Sequence, residues 1–204
     1  IPALMAGCAV VMKPSEVTPL GVHEIVKAWR EEIGGPDILG SVTGTAATAE
    51  ALIDHSDFIG FTGSDRVGKM VMKRAAETLT PVSLELGGKD PMIVMDGSNI
   101  ERAANAAAFG GMMNSGQICM SVERIYVEEP AYDEFVTRLT DSVKELRQGP
   151  DKVAGESEVG AMTTPTQTEH VEKQVNEAIS QGARALTGGK RVDGPGDYYE
   201  PTVL

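Results

Sequence analysis

The chain has two cysteines, Cys8 and Cys119, in 204 residues. Two thiols make no disulfide framework, and they suit a reducing, cytoplasmic compartment. Histidine is almost as scarce. His23, His55 and His170 fall on predicted helices with no carboxylate or cysteine at metal-ligand spacing, so neither a metal site nor a Cys–His couple is expected. No apolar run approaches the length of a membrane span, and no charged-then-apolar leader opens the chain. Internal repeats, low-complexity tracts and the G-x-G-x-x-G fingerprint are also missing. Lysine and arginine number 18 against 30 aspartates and glutamates, a net charge of −12. That charge is spread rather than blocked, which argues against nucleic-acid or anionic-membrane partners.

What remains is an ordinary globular composition, 41% hydrophobic and 24% charged, in a chain long enough for one large domain or parts of two. Cys8–Met12 is a short apolar run closed by Lys13-Pro14, as expected for a strand buried on both faces. Pro19 stands where a first helical position belongs, with Thr18 as its cap, and Val22, Ile25, Val26 and Trp29 follow at helical spacing. Ile38–Val42 and Phe58–Thr62 read as strands around a helix through Ala51 and Ile53, capped by Thr45 or Thr48. This alternation predicts an α/β fold with parallel sheets and crossover helices, whose ligands bind beyond the carboxyl ends of the strands.

A helix over Asp65–Leu79 and a strand over Val82–Leu86 complete the first part. The run Gly87-Gly88-Lys89-Asp90-Pro91 breaks the pattern, which places a domain boundary between residues 86 and 87. Beyond it the sequence predicts a strand at Met92–Met95, an Ala-rich helix over Ile100–Phe109 and a loop carrying Cys119. A strand at Glu123–Val127 follows, then a helix over Tyr132–Leu146 with Tyr132, Phe135, Val136, Leu139 and Val143 on one face. Gly149–Gly155 reads as a loop. Thr164-Pro165 opens a helix carrying Val171, Val175 and Ile179, and Gly188–Tyr198 reads as a surface loop or hairpin. The first residue is not Met, Ile1–Gly7 reads like the end of a helix, and Tyr198–Leu204 stops inside an expected strand. A fragment of a longer chain is therefore expected.

Four places can carry chemistry. Lys13-Pro14-Ser15-Glu16 puts a cation, a hydroxyl and a carboxylate at a strand end, able to hydrogen-bond ribose hydroxyls or simply to form a polar strand exit. Gly63-Ser64-Asp65-Arg66-Val67-Gly68 leaves a strand and opens a helix. It suits either a phosphate at the helix N-terminus or a tight turn with close helix packing. Glu85, between Leu84 and Leu86, either faces solvent or serves as a general base on water. Cys119, behind Gly116-Gln117, either meets a substrate from its loop or packs as a small hydrophobe.

In order, these segments resemble the NAD(P)-dependent aldehyde dehydrogenase superfamily over nearly the whole chain. The residues that carry the resemblance begin with Pro2-Ala3-Leu4, Ala6–Val11, Lys13-Pro14-Ser15-Glu16, Phe61-Thr62-Gly63-Ser64 and Val67-Gly68. They continue with Leu84-Glu85-Leu86-Gly87-Gly88-Lys89 and Gly116-Gln117-Ile118-Cys119, with Glu85 and Cys119 34 positions apart. The resemblance implies parts of two Rossmann-like parallel-sheet domains: residues 1–86 from the cofactor-binding domain and 87–204 from the catalytic domain. It makes Cys119 the nucleophile towards a small-molecule aldehyde and Glu85 the base that hydrolyses the resulting thioester.

Lys13, Ser15 and Glu16 would lie at the adenine ribose, Gly63 and Ser64 near the pyrophosphate, and Leu86 near the nicotinamide of NAD or NADP. The Glu16 charge, which repels a 2′-phosphate, favours NAD. The segment after Cys119 is most similar to bacterial succinate-semialdehyde dehydrogenase-like members, and Ser121 stands where some relatives carry a second cysteine. The family's oxyanion-hole asparagine and its later ribose-binding glutamate belong to motifs outside these residues. The isolated chain is therefore expected to be feeble and its full-length parent a homo-oligomer. A non-catalytic dinucleotide-binding relative and a coenzyme A-acylating enzyme are the alternatives.

Overall fold

Parallel strands cannot be joined by a tight hairpin; they need a crossover of a dozen or more residues, usually a helix. The computed structural model describes residues 1–150, 153 and 155–204 and contains three such strand–helix–strand pairs among them. The chain divides into two units, Ile1–Leu86 and Gly87–Leu204.

The first unit opens with a single turn, α1 (Pro2–Met5), followed by β1 (Val10–Met12), α2 (Leu20–Glu31) and β2 (Leu39–Ser41). β1 and β2 pair in parallel from Val10↔Leu39 to Met12↔Ser41. Then come α3 (Ala46–Asp54), β3 (Ile59–Thr62), α4 (Asp65–Ala75) and β4 (Val82–Glu85), with β3 and β4 parallel from Ile59↔Val82 to Thr62↔Glu85. Ile53, Val71 and Ala75 form the buried centre, against which Ile59, Phe61, Val67, Val82 and Leu84 pack. Arg74 ties α4 to α3 by donating to both carboxylate oxygens of Asp54, at 2.8 and 2.6 Å.

Several expectations are corrected in this unit. The first strand is three residues long and is not buried on both faces: Val11 is 54% exposed while Val10 and Met12 are half-buried. Alternate strand residues point to opposite faces, and only one face of β1 is covered. Pro19 is the cap itself, not the first helical residue. Its carbonyl accepts from the His23 N–H at 3.3 Å, and Thr18 supplies no side-chain cap. Ile25 is exposed, because Val22, Val26 and Trp29 already fill the inward stripe and Ile25 lies to its side. Thr45 occupies the cap position of α3 without a side-chain bond. α4 stops at Ala75, where the Thr80 N–H bonds back to the Ala75 carbonyl and Leu79 turns left-handed at φ 56°.

The second unit contains β5 (Asp90–Val94), α5 (Ile100–Met112), a 3₁₀ turn (Met113–Gly116), β6 (Val122–Val127), α6 (Glu129–Lys144) and α7 (Pro165–Ser180). β5 and β6 run parallel, with a register shift between Asp90 and Pro91. Pro91, expected to precede the strand, lies in it at that irregularity, where a residue without an N–H is tolerated. The core joins Val94 to Ala104, Ala107 and Ala108 of α5 and to Ala131, Phe135, Leu139 and Val143 of α6. The alanines let α6 approach closely enough for Phe135 to be 1% exposed.

The inward stripe of α6 therefore runs through Ala131 rather than Tyr132, which is 49% exposed. On α7, Thr164 caps the helix by accepting from the Gln167 N–H at 3.3 Å; Thr168 and Val175 are buried, while Ile179 is exposed. The expected 149–155 loop falls partly outside the described residues. Arg147 and Glu158 pair across it, and the Arg147 side chain and backbone N–H hold the Glu158 carboxyl down to about 2. The 188–198 segment is hairpin-like, with antiparallel bridges Thr187↔Val203 and Arg191↔Tyr199 in place of a continuous terminal strand.

Phe135→Ala is expected to cost the second unit about 3–5 kcal/mol, the range for emptying a fully buried aromatic site. Urea unfolding followed through hydrogen exchange of the α5 and α6 amides measures it, and an unmoved midpoint would contradict this core.

Candidate active site

Pairing β1 with β2 brings the two strand ends together, and Lys13 bridges them. Its Nζ donates to the Gly44 carbonyl at 3.0 Å, to the Pro14 carbonyl at 2.6 Å and to Glu16 at 3.2 Å. An ammonium group has three donors, so all three are engaged. Lys13 therefore holds Glu16 and the strand ends in place, and would have to exchange a partner to bond a ribose directly. The Ser15 hydroxyl accepts from the Val17 N–H at 3.3 Å and shapes the turn. Glu16 is 53% exposed at its side chain and free to accept from solvent or ligand. Its own backbone N–H, then the Lys13 hydrogen bond and charge, lower its carboxyl below the ordinary value of 4.5. An exposed carboxylate, a cation and a hydroxyl beyond the carboxyl end of a parallel pair fit a dinucleotide ribose.

The β3–β4 pair positions a second group. The Gly63 N–H donates to the Glu85 carbonyl at 3.0 Å, continuing the ladder past Thr62↔Glu85. Ser64 then caps α4, its hydroxyl accepting from the Val67 N–H at 3.3 Å. Hydrogen bonding to Lys69, then to the Arg66 N–H, lowers the neighbouring Asp65 carboxyl. The helix start is thus already occupied by its own side chains, and a phosphate would meet Ser64 and Asp65 before the free N–H groups. Gly68 is a packing glycine: a Cβ there would stand 2.7 Å from Leu86 Cδ2. Leu86 is half-buried on the α4 side, while the Glu85 side chain is exposed, on the strand face opposite Leu84.

Cys119 belongs to the second unit and Glu85 to the first. After α5, three successive residues adopt left-handed backbone: Asn114 at φ 52°, Ser115 at 58° and Gly116 at 72°. This reverses the chain and starts a turn that leaves Cys119 exposed and free before β6. The Asn114 amide donates to the Gln117 carbonyl at 3.2 Å, and the Gln117 amide returns a bond to the Asn114 carbonyl at 3.1 Å. On the far side Ser121 is buried, its hydroxyl donating to the Gly110 and Gly111 carbonyls at 3.3 and 3.4 Å. Gly88 lies against the same turn: a Cβ there would be 3.5 Å from the Cys119 carbonyl oxygen.

The pattern of the aldehyde dehydrogenase family matches residues 1–204. The chain belongs to that family. Lactaldehyde dehydrogenase of Escherichia coli (strain K12) is 38% identical over 207 residues, which cover 100% of this chain and 43% of the relative. Its crystal structure superposes with a TM-score of 0.93 over 98% of this chain and 43% of that one. A putative succinate-semialdehyde dehydrogenase [NADP(+)] of Mycobacterium bovis (strain BCG / Pasteur 1173P2) is also 38% identical, over 100% of this chain and 40% of its own length. The structure of an NAD-dependent aldehyde dehydrogenase from Sinorhizobium meliloti gives a TM-score of 0.91 at 35% identity, over 98% of this chain and 40% of that one. The chain thus spans about two-fifths of the length of these relatives. Short parallel sheets in an α/β arrangement, as expected, are the fold of this family.

Within the aldehyde dehydrogenase fold, the sequence places Cys119 on a loop behind Gly116-Gln117 but does not say what fixes that loop. Asn114-Ser115-Gly116 are residue types that tolerate left-handed backbone or turns, and that run was the available signal. The partners across space, Gly160 and Thr163, had none. Among the described residues, no group of three or more His, Cys, Asp or Glu could hold a metal ion, and no helix is long and apolar enough to cross a membrane.

Because the Glu16 carboxyl is depressed, its contribution to stability is complete above its unfolded value near 4.5 and is lost as pH falls through the folded value. In Lys13→Met the Glu16 carboxyl should titrate at higher pH, though still below the ordinary value, since its backbone hydrogen bond remains. Carboxyl NMR titration reads this; an unmoved midpoint would show that Lys13 does not hold Glu16.

Proposed function

We propose that these residues form part of an NAD(P)-dependent aldehyde dehydrogenase. In this reading Ile1–Leu86 belongs to the cofactor-binding domain, and Gly87–Leu204 carries the nucleophile. The observation that carries the proposal is the exposed Cys119, presented on a fixed turn in a chain that matches the family along its whole length.

The Cys119 thiolate adds to the aldehyde carbonyl carbon, forming a C–S bond and a thiohemiacetal. The Cys119 backbone N–H serves as one donor to the developing oxyanion. When bound, the nicotinamide supplies the hydride acceptor that turns the thiohemiacetal into a thioester. Glu85 takes a proton from water, the resulting hydroxide adds to the thioester carbon, and the C–S bond breaks to release the carboxylic acid. A covalent intermediate divides one difficult oxidation into two easier steps.

Glu16, held by Lys13 beside Ser15, accepts from the adenine ribose, while Gly63 and Ser64 lie towards the pyrophosphate and Leu86 towards the nicotinamide. The negative charge of Glu16 disfavours a 2′-phosphate and supports NAD; Lys13 and Ser15 leave NADP usable. The full-length protein is proposed to be a cytoplasmic homo-oligomer acting on a small aldehyde.

The test is steady-state and rapid-mixing assay of the full-length protein with NAD or NADP and a panel of aldehydes that includes lactaldehyde and succinate semialdehyde. Cys119→Ala should lose turnover by a factor of about 10⁴ or more, as for a nucleophile that works as one unit with its base. Glu85→Gln should keep a burst of reduced cofactor equal to the enzyme present, then turn over slowly. Undiminished turnover in Cys119→Ala sinks the mechanism and leaves a dinucleotide-binding relative. Turnover that depends on coenzyme A and ignores Glu85→Gln favours the acylating enzyme.

The 204-residue chain by itself should oxidise aldehydes feebly, since it spans about two-fifths of its relatives' length. Normal activity from the purified chain would overturn this.

A further inference from the structure

The turn that presents Cys119 is tied to a remote segment, residues 160–163, by two side chains. The Ser115 hydroxyl donates to the Gly160 carbonyl at 3.0 Å, across 45 positions. The Gln117 Oε1 accepts from the Thr163 N–H at 2.9 Å, across 46. The same Gln117 amide donates through Nε2 to the Asn114 carbonyl at 3.1 Å. One partner is a donor and the other an acceptor, so these bonds fix the orientation of the amide.

The anchor is itself held on both sides. Val159 is buried and bridges to Gln148, and the Gly149 N–H donates to its carbonyl at 3.1 Å. The Met162 N–H donates to the Asp197 carbonyl at 2.7 Å, and Thr164 caps α7. Between the left-handed run and the buried Ser121, the backbone bonds of residues 117–120 among the described residues are short-range: Gln117 N–H to the Asn114 carbonyl at 3.2 Å, the Asn114 amide to the Gln117 carbonyl at 3.2 Å and Ser121 N–H to the Ile118 carbonyl at 3.1 Å. Bonds of this local kind close the turn but leave its direction to whatever holds it from outside.

We infer that Gln117, assisted by Ser115, is a positioning residue: it clamps the Cys119 turn to the 160–163 segment and so sets the direction from which the thiol meets the aldehyde. The inference rests on the reading of Cys119 as nucleophile. A reacting atom displaced by about 1 Å can cost as much as 10²-fold in rate, so the clamp should act on kcat.

The experiment uses the full-length protein and four variants: Gln117→Met, Gln117→Glu, Ser115→Ala and Cys119→Ala. Gln117→Met is close in shape but makes neither bond, and should lower kcat by about 10- to 100-fold. Its KM, thermal midpoint and rate of Cys119 alkylation by iodoacetamide should stay near wild type, because alkylation needs an exposed thiol but no aimed one. Gln117→Glu keeps the acceptor for the Thr163 N–H and should regain part of the lost kcat. Ser115→Ala, which removes only the Gly160 tie, should show a smaller loss of the same kind, and it carries the test if Gln117→Met does not fold.

Unchanged kcat in both Gln117→Met and Ser115→Ala overturns the clamp. So does a loss of kcat that follows a fall in thermal midpoint, or a Gln117→Glu protein as impaired as Gln117→Met. Full turnover in Cys119→Ala removes the nucleophile reading and this inference with it. An inactive Cys119→Ala beside an unimpaired Gln117→Met removes the inference alone.

Discussion

A cysteine proposed as a nucleophile has to be kept out of the core beside which it sits. Cysteine is among the most readily buried side chains, and the turn here lies between an alanine-rich helix and an apolar strand. Exposure of Cys119 depends on three consecutive left-handed residues, Asn114, Ser115 and Gly116, which reverse the chain before β6 can draw it inward. Left-handed backbone costs a non-glycine residue roughly 1–2 kcal/mol. The side-chain and backbone bonds around Asn114 and Gln117, each worth about 0.5–1.5 kcal/mol net, offset that cost locally.

The packing of the second unit serves the same end. Ala104, Ala107 and Ala108 bring α6 close to α5, and Phe135 fills the space between them. α5 is thereby a firm base for the turn that follows it. Ser121 then pins the other end of the turn to the α5 carbonyls of Gly110 and Gly111. A cysteine in that buried place would be a weaker donor to those carbonyls than the hydroxyl.

In the first unit, strand pairing does the comparable work. Residues far apart in the chain, such as Lys13 and Gly44, become neighbours because β1 and β2 are in register and end together. The same holds for Gly63 and Glu85 across β3 and β4. Glu16 is fixed by Lys13, and Leu86 rests on Gly68, so the groups proposed to meet a dinucleotide are held by contacts within the protein. The cap at Ser64 qualifies that picture, because the helix start it occupies is less open to an anion than its sequence pattern implied.

Much of this was legible in the chain itself. The periodicity of Val22, Val26 and Trp29, the strand-helix rhythm and the Thr164-Pro165 helix start follow from local chemistry, which needs no knowledge of distant neighbours, while Lys13, Glu16, Glu85 and Cys119 were singled out by the family resemblance. Mistakes fell where a neighbour decides. Val11 and Ile25 are as apolar as buried residues, yet both are exposed; Tyr132 is one step around α6 from the stripe that Ala131 fills. Sequence by itself therefore determined the α/β pattern, the family and the identity of the candidate thiol and base. Only the tertiary structure decided which donors Lys13 has already used, which glycine is filled by Leu86, and that Gln117 reaches Thr163. Those facts depend on pairs brought together across tens of residues, and no local preference encodes the partner.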